Sequence, residues 1–157
     1  GLISNSLSST LDILPTIADL LQLPLPSHKI DGVSLAPIVR GNVSAVPRSE
    51  FYYYYRKNNL EAVRRDEWKL VLPHPGRTYE NYDAGKDGFP GNVNENFPFG
   101  KALYDLQRDP GERYDVQTQF PDIVKELEAL AEKAREDLGD DLLQRTGKNV
   151  RTAGVKQ

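Results

Sequence analysis

The chain contains neither cysteine nor methionine in 157 residues. Without cysteine there is no disulfide, no thiolate metal ligand and no sulfur nucleophile, and the redox compartment leaves no mark. Without methionine, even at position 1, the chain is expected to be a piece or a processed product of a longer protein. Positive charge is not in excess: 20 Lys and Arg face 23 Asp and Glu, a net charge of −3 with a pI near 5.4. No electrostatic case exists for nucleic acid or an anionic membrane as partner. No apolar run approaches the ~18 residues needed to span a bilayer. The polar start, rich in Ser and Thr, does not read as a signal peptide. Phosphate-cradling glycine loops and the G-x-S-x-G elbow are missing too.

What is present has globular composition, 38% hydrophobic and 27% charged, with enough length for one domain and a core. Leu11, Leu14, Ala18 and Leu21 fall on one helical face, and Ile13, Ile17 and Leu20 on the next. The spacing predicts a helix over residues 11–23, capped by Thr10 or Asp12, with Pro15 in its first turn and Pro24 and Pro26 ending it. A helix this apolar on most sides is expected to be buried in a larger body. A short apolar helix around Ser34–Val39, stopped by Gly41, follows the Asp31-Gly32 turn. Asn42-Val43-Ser44 matches a glycosylation sequon, which carries no meaning outside a eukaryotic secretory context.

From residue 49 the pattern changes. Strands are expected near 50–56, 60–64, 68–73 and 102–106, dense in Tyr, Phe, Val and Leu, with turns at Asn58-Asn59 and Arg65-Asp66-Glu67. Residues 74–101 hold five glycines, three prolines, four asparagines and five aromatics without periodicity, and are expected to form one long packed loop. Phe120, Ile123, Val124, Leu127, Leu130, Ala131, Ala134 and Leu138 form a stripe that predicts a one-sided helix over 121–138, begun by Pro121 and stopped by Gly139. The fold class is therefore α+β. About four antiparallel strands are packed by a long C-terminal helix, and the leading apolar helix would pack on a domain outside the chain. Three segments are expected: 1–48 as the end of, or linker from, that domain; 49–139 as a subdomain; 140–157 as a polar surface tail.

Reaction machinery is sparse. Asp140-Asp141 follows the helix end and reads as a solvated turn, not a metal site. His28 and His74 lie in different loops without ligand spacing, His28 as a surface residue. No catalytic residue and no metal ligand is assigned. His74-Pro75-Gly76-Arg77 is the polar cluster of interest, because a histidine and an arginine opening an aromatic loop can donate charged hydrogen bonds to an anion. The alternative is a backbone-bonded histidine beside a solvated arginine. His74, Arg77 and Tyr79 are the candidate substrate-binding residues. The run Tyr52–Tyr55 reads as a half-buried strand, with a sugar-stacking platform as its alternative. Leu103-Tyr104-Asp105-Leu106 followed by Asp109-Pro110-Gly111-Glu112 reads as a strand ending in an acidic turn. There Pro110 presets one backbone angle and Gly111 permits a positive one, and the carboxylates stabilise the turn or face solvent.

Several phrases in this order resemble the C-terminal part of sulfatases of the arylsulfatase A-like branch, in the alkaline phosphatase-like superfamily. They are Ser9 to Ala18, Asp31 to Leu35, Arg40-Gly41, Glu61 to Arg64, Trp68-Lys69-Leu70, Leu103 to Leu106, Asp109 to Glu112, Asp137 to Asp140 and Gly147 to Arg151. The resemblance implies a sulfate-ester hydrolase in which a formylglycine, made from Cys or Ser in a C/S-x-P-x-R motif, attacks sulfur while calcium polarises the sulfate. This chain has no such motif, so it implies none of these cofactors within the chain and calcium and formylglycine in a missing catalytic domain. The partner it implies is that N-terminal catalytic domain, and the location periplasmic or secreted. The chain alone is expected to be inactive and to offer structural support and a substrate-selectivity loop. A free-standing α+β carbohydrate-binding module and a phosphoester hydrolase fragment of the same superfamily stand as alternatives.

Overall fold

The computed structural model describes residues 3–151, and the chain divides into two compact units, residues 1–51 and 52–157. In the first unit a 3-10 turn, Thr10–Asp12, runs into helix α1, Ile13–Leu20. α1 is shorter than the predicted 11–23. Ser9 caps the 3-10 turn: its side chain accepts from the Leu11 amide while the Asp12 carboxylate accepts from the Ser9 amide at 2.8 Å, a reciprocal capping box. Asp12, one of the two expected caps, stands at the N-cap of α1 without a side-chain cap bond to it. α1 ends before either proline. Gln22 adopts φ 56°, Leu23 N–H donates to Ala18 O at 2.8 Å and Gln22 N–H to Asp19 O at 3.2 Å, the left-handed termination usually made by glycine. Helix α2, Ala36–Val39, closes the same way on Gly41, φ 100°.

Segment 31–40 lies along one side of α1 through specific contacts. Val33 N–H donates to Asp12 Oδ1 at 2.9 Å and Leu35 N–H to Thr16 Oγ1 at 2.9 Å. Ser34 Oγ–H donates to Asp19 Oδ2 at 2.6 Å, and Arg40 pairs with Asp19 at 3.0 Å. A Cβ on Gly32 would sit 2.0 Å from the Leu11 carbonyl oxygen, so only glycine permits this approach. Asp12 is the knot: it is fully buried and is held by Val33, Ser9 and the Arg48 guanidinium.

Four strands, all but the first two residues of β1 in the second unit, form one sheet in the order β1-β2-β3-β6. They are β1 Glu50–Tyr55, β2 Asn59–Arg65, β3 Trp68–Val71 and β6 Ala102–Asp105. β2 and β3 are antiparallel with Val63 opposite Leu70, and β3 and β6 with Leu70 opposite Leu103. The three-residue link between β1 and β2 is too short for a parallel crossover. Helix α3, Pro121–Leu138, covers one face. Val124, Leu127, Leu130, Ala131 and Ala134 meet Leu60, Val63, Leu70, Leu72 and Leu103, with Tyr52, Tyr54 and Trp68 packed around them. This is the predicted α+β arrangement.

Two larger expectations also fail. The first is the single loop over 74–101. Residues His74–Thr78 and Asn94–Phe99 are strands β4 and β5, an antiparallel pair with a register shift between Gly76 and Thr78. Pro75 and Gly76 interrupt β4 and Pro98 interrupts β5, which weakens the period-2 signal. The second is the surface tail from Asp140. β7, Gly139–Asp140, pairs with β8, Arg145–Thr146, and Asp140 is buried, not solvated. Its carboxylate takes Arg135 Nε at 3.0 Å and the amides of Leu142 at 3.1 Å and Leu60 at 3.3 Å. Tyr54 adds to this junction, its hydroxyl donating toward Gly139 O at 2.8 Å and Ala134 O at 3.1 Å. Burial, then the Asp140 charge, push that phenol well above its ordinary value. The last part of the predicted tail, 152–157, lies outside the described residues.

The Asp109–Glu112 turn closes with Glu112 N–H donating to Asp109 O at 3.2 Å. The positive φ is at Glu112, 53°, not at Gly111 as expected. Asp109 Oδ2 accepts from the amides of Arg113 and Tyr114 at 2.6 and 2.8 Å, and Glu112 pairs with Lys69 at 2.7 Å, so both acids stabilise the turn.

Two predictions follow from the buried acids. Asp140→Ala leaves Arg135 with Glu132 as its remaining carboxylate and strands the Leu60 and Leu142 amides, and should cost about 2–4 kcal/mol in chemical denaturation. Exposed Asp141→Ala should stay within about 0.5 kcal/mol. Equal effects would contradict the assigned role. For Asp12, burial alone would raise the carboxyl pKa, but Arg48 and the Val33 and Ser9 amides outweigh it and hold it below 3.8. A depressed carboxylate contributes stability that is complete above the unfolded value and lost as pH falls through the folded one. The thermal stability gap between the parent and Asp12→Asn should be largest near about pH 6 and shrink below about pH 4. A gap that is constant with pH would contradict this.

Candidate functional site

The β4–β5 hairpin carries all three candidate residues, but it treats them differently. His74 is turned inward. Its Nδ1 lies 2.7 Å from Leu72 O and its Nε2 3.3 Å from Glu61 Oε2. Its ring stacks on Phe99 with centroids 5.2 Å apart and planes at 16°. Phe97 meets Phe99 edge-on at 5.0 Å. Gly76 is a requirement of this packing, because a Cβ there would lie 2.8 Å from the Phe99 ring and 3.2 Å from His74 Nε2. Glu61 Oε1 is buried with no hydrogen-bond partner among the described residues.

Arg77 and Tyr79 are turned outward and lie together. The Arg77 guanidinium forks onto Glu95, Nε to Oε2 at 3.0 Å and Nη2 to Oε1 at 2.9 Å, and its Nη1 reaches the Tyr79 hydroxyl at 3.5 Å. Glu95, then Tyr79, raise the Arg77 pKa, so the cation is permanent. Arg56, at the end of β1 with φ 44°, donates to the Glu95 carbonyl. Arg77 and Tyr79 thus form one exposed polar group, while His74 anchors the strand beneath it. Glu95 and Arg56 were not singled out from sequence, Glu61 stood there only in a resemblance phrase, and Phe99 only as one of the five aromatics of segment 74–101. The alternation of Glu95, Phe97 and Phe99 was the available signal for β5; nothing local marks Glu61 as the partner of His74.

Neither calcium nor a formylglycine fits the residues present. Among the described residues no three His, Cys, Asp or Glu side chains gather to hold a metal ion. The buried carboxylates, Asp12 and Asp140, spend their oxygens on arginine and backbone amides. No C/S-x-P-x-R sequence occurs to supply the aldehyde. Among the described residues no helix is long and apolar enough to cross a membrane.

Residues 47–156 match the family model described as the C-terminal region of aryl-sulfatase. Arylsulfatase A of Homo sapiens is 29% identical over 136 residues, a match that takes in 82% of this chain and 26% of the human protein. N-acetylgalactosamine-6-sulfatase of Mus musculus is 32% identical over 126 residues, covering 74% of this chain and 24% of the mouse protein. A solved structure from Bacteroides thetaiotaomicron, described with the metabolism of multiple glycosaminoglycans, superposes with a TM-score of 0.61 at 27% identity. It covers 84% of this chain and 26% of its own. The chain spans about a quarter of the length of the relatives it matches. With the sheet, the covering helix and the ordered motifs already in place, the family match identifies the chain as a member of the family formed by the C-terminal region of aryl-sulfatases.

Proposed function

We propose that this chain acts as the C-terminal subdomain of a sulfatase that hydrolyses sulfate esters, and that by itself it is inactive. The observation that carries the reading is the outer side of α1. Leu11, Ile13, Leu14, Ile17, Leu20 and Leu21 are each 41–62% exposed, while the opposite side is tied to segment 31–40. An apolar surface of this kind marks an interface. Its occupant is the N-terminal catalytic domain, consistent with the short span of this chain along its relatives. In this reading residues 1–48 lead out of that domain, 49–139 form the subdomain and 140–157 complete it. The nucleophile and calcium belong to the catalytic domain, and the enzyme works outside the cytoplasm, in the periplasm or as a secreted protein.

The hairpin is the substrate-selectivity element. Arg77 and Tyr79 supply the contact, and His74 holds them in place through Leu72, Glu61 and Phe99. The full-length enzyme should hydrolyse 4-nitrophenyl sulfate well above 4-nitrophenyl phosphate, while the 157-residue chain shows only buffer background. Turnover by the chain alone, or preference for the phosphate, contradicts the proposal. In the full-length enzyme Arg77→Ala should raise KM on a bulky natural substrate about tenfold or more. Unchanged KM removes the hairpin from substrate selection.

A further inference from the structure

The excursion 79–93 between β4 and β5 is folded back on itself. A Cβ on Gly85 would lie 1.9 Å from the Phe89 carbonyl oxygen, and one on Gly91 2.0 Å from that of Asp83. The two glycines therefore let segments 83–85 and 89–91 touch backbone to backbone. Between them Phe89 N–H donates to Lys86 O at 3.0 Å. Both central residues of this turn have positive φ, Asp87 at 55° and Gly88 at 79°, which makes it a type I′ turn.

The turn delivers Phe89 to the surface, 75% exposed. Nearby in the same loop, Tyr82 N–H donates to Tyr79 O at 3.2 Å with Asn81 left-handed between them, and both tyrosines are exposed. Three aromatic side chains stand on a backbone that is already pinned. Rigid aromatics lose little freedom on binding and so make effective contacts.

The charge of the loop decides what they contact. Glu80, Asp83 and Asp87 against Lys86 leave residues 79–93 with a formal charge of −2. A densely sulfated ligand is repelled by such a loop. An uncharged pyranose is not: its C–H face stacks on an aromatic ring, and its hydroxyls donate to carboxylates and exchange hydrogen bonds with Asn81 and Asn92.

We propose that the 79–93 loop, through Phe89 and Tyr82, binds an uncharged sugar unit of the substrate, so that the enzyme acts on sparsely sulfated oligosaccharides. The proposal rests on the sulfatase reading and deepens it by naming the substrate class. The test presents an array of neutral, singly sulfated and densely sulfated glycans to the full-length enzyme, with 4-nitrophenyl sulfate hydrolysis measured in parallel. Singly sulfated glycans should bind best. Phe89→Ala and Tyr82→Ala should each weaken that binding about tenfold while leaving 4-nitrophenyl sulfate turnover unchanged. A preference for densely sulfated glycans, unchanged binding by both variants, or an equal loss of 4-nitrophenyl sulfate turnover overturns the proposal. Failure of the underlying reading shows separately, as a parent enzyme that does not turn over 4-nitrophenyl sulfate.

Discussion

The apolar side of α1 is the constraint on which the account depends. Burying Pro15 and Ala18 uses only one flank of the helix, and that flank is fastened by polar contacts from Asp12, Thr16 and Asp19. The remaining leucines and isoleucines of the helix stay 41–62% exposed among the described residues. Each large apolar side chain gains roughly 1.5–3 kcal/mol on full burial, so a row of six left in water is a large unspent driving force for association. The cap, the turn at Gln22 and the Gly32 contact all fix the direction in which that row points. The first unit is thus built to present a surface.

The phrases that carried the family resemblance turn out to be mutual contacts. Leu11-Asp12 and Asp31-Gly32-Val33 are far apart in sequence, yet the Leu11 carbonyl admits only glycine at 32 and the Asp12 carboxylate takes the Val33 amide. Arg48 completes the knot. In the second unit Trp68-Lys69-Leu70 and Leu103-Tyr104 pair directly, and Lys69 reaches Glu112 of the acidic turn. Residue identity at these positions follows from close approach and charge pairing, which explains why short phrases were informative.

The sheet and α3 were legible because their apolar periods, two and 3.6, survive in the chain almost without interruption; the predicted 121–138 helix is the observed one. The hairpin was not legible, because Pro75, Gly76 and Pro98 break the alternation and its packing depends on the distant Glu61. Asp140 was misread for a related reason. Two adjacent aspartates after a helix look solvated, and only the return of β8 and the side chain of Arg135 bury the first. Local pattern carries no information about such partners. Of the candidate residues, Arg77 and Tyr79 lie together and His74 is bonded to the backbone at Leu72, which the sequence reading held as its alternative; neither the strand that carries His74 nor its contact with Glu61 was read.

The whole forms a division of labour. One unit carries an exposed apolar surface, which the proposed function assigns to a catalytic domain; the other holds a sheet, from whose β3 strand the chain runs on into a hairpin and an aromatic loop. Binding of an apolar-surface dye tests this most directly, measured on the 157-residue chain and on the full-length enzyme. The account predicts strong binding by the chain, loss of it in Leu14→Glu/Ile17→Glu, and little binding by the full-length enzyme. A chain that binds no dye, or a full-length enzyme that binds it as strongly as the chain, would contradict the account.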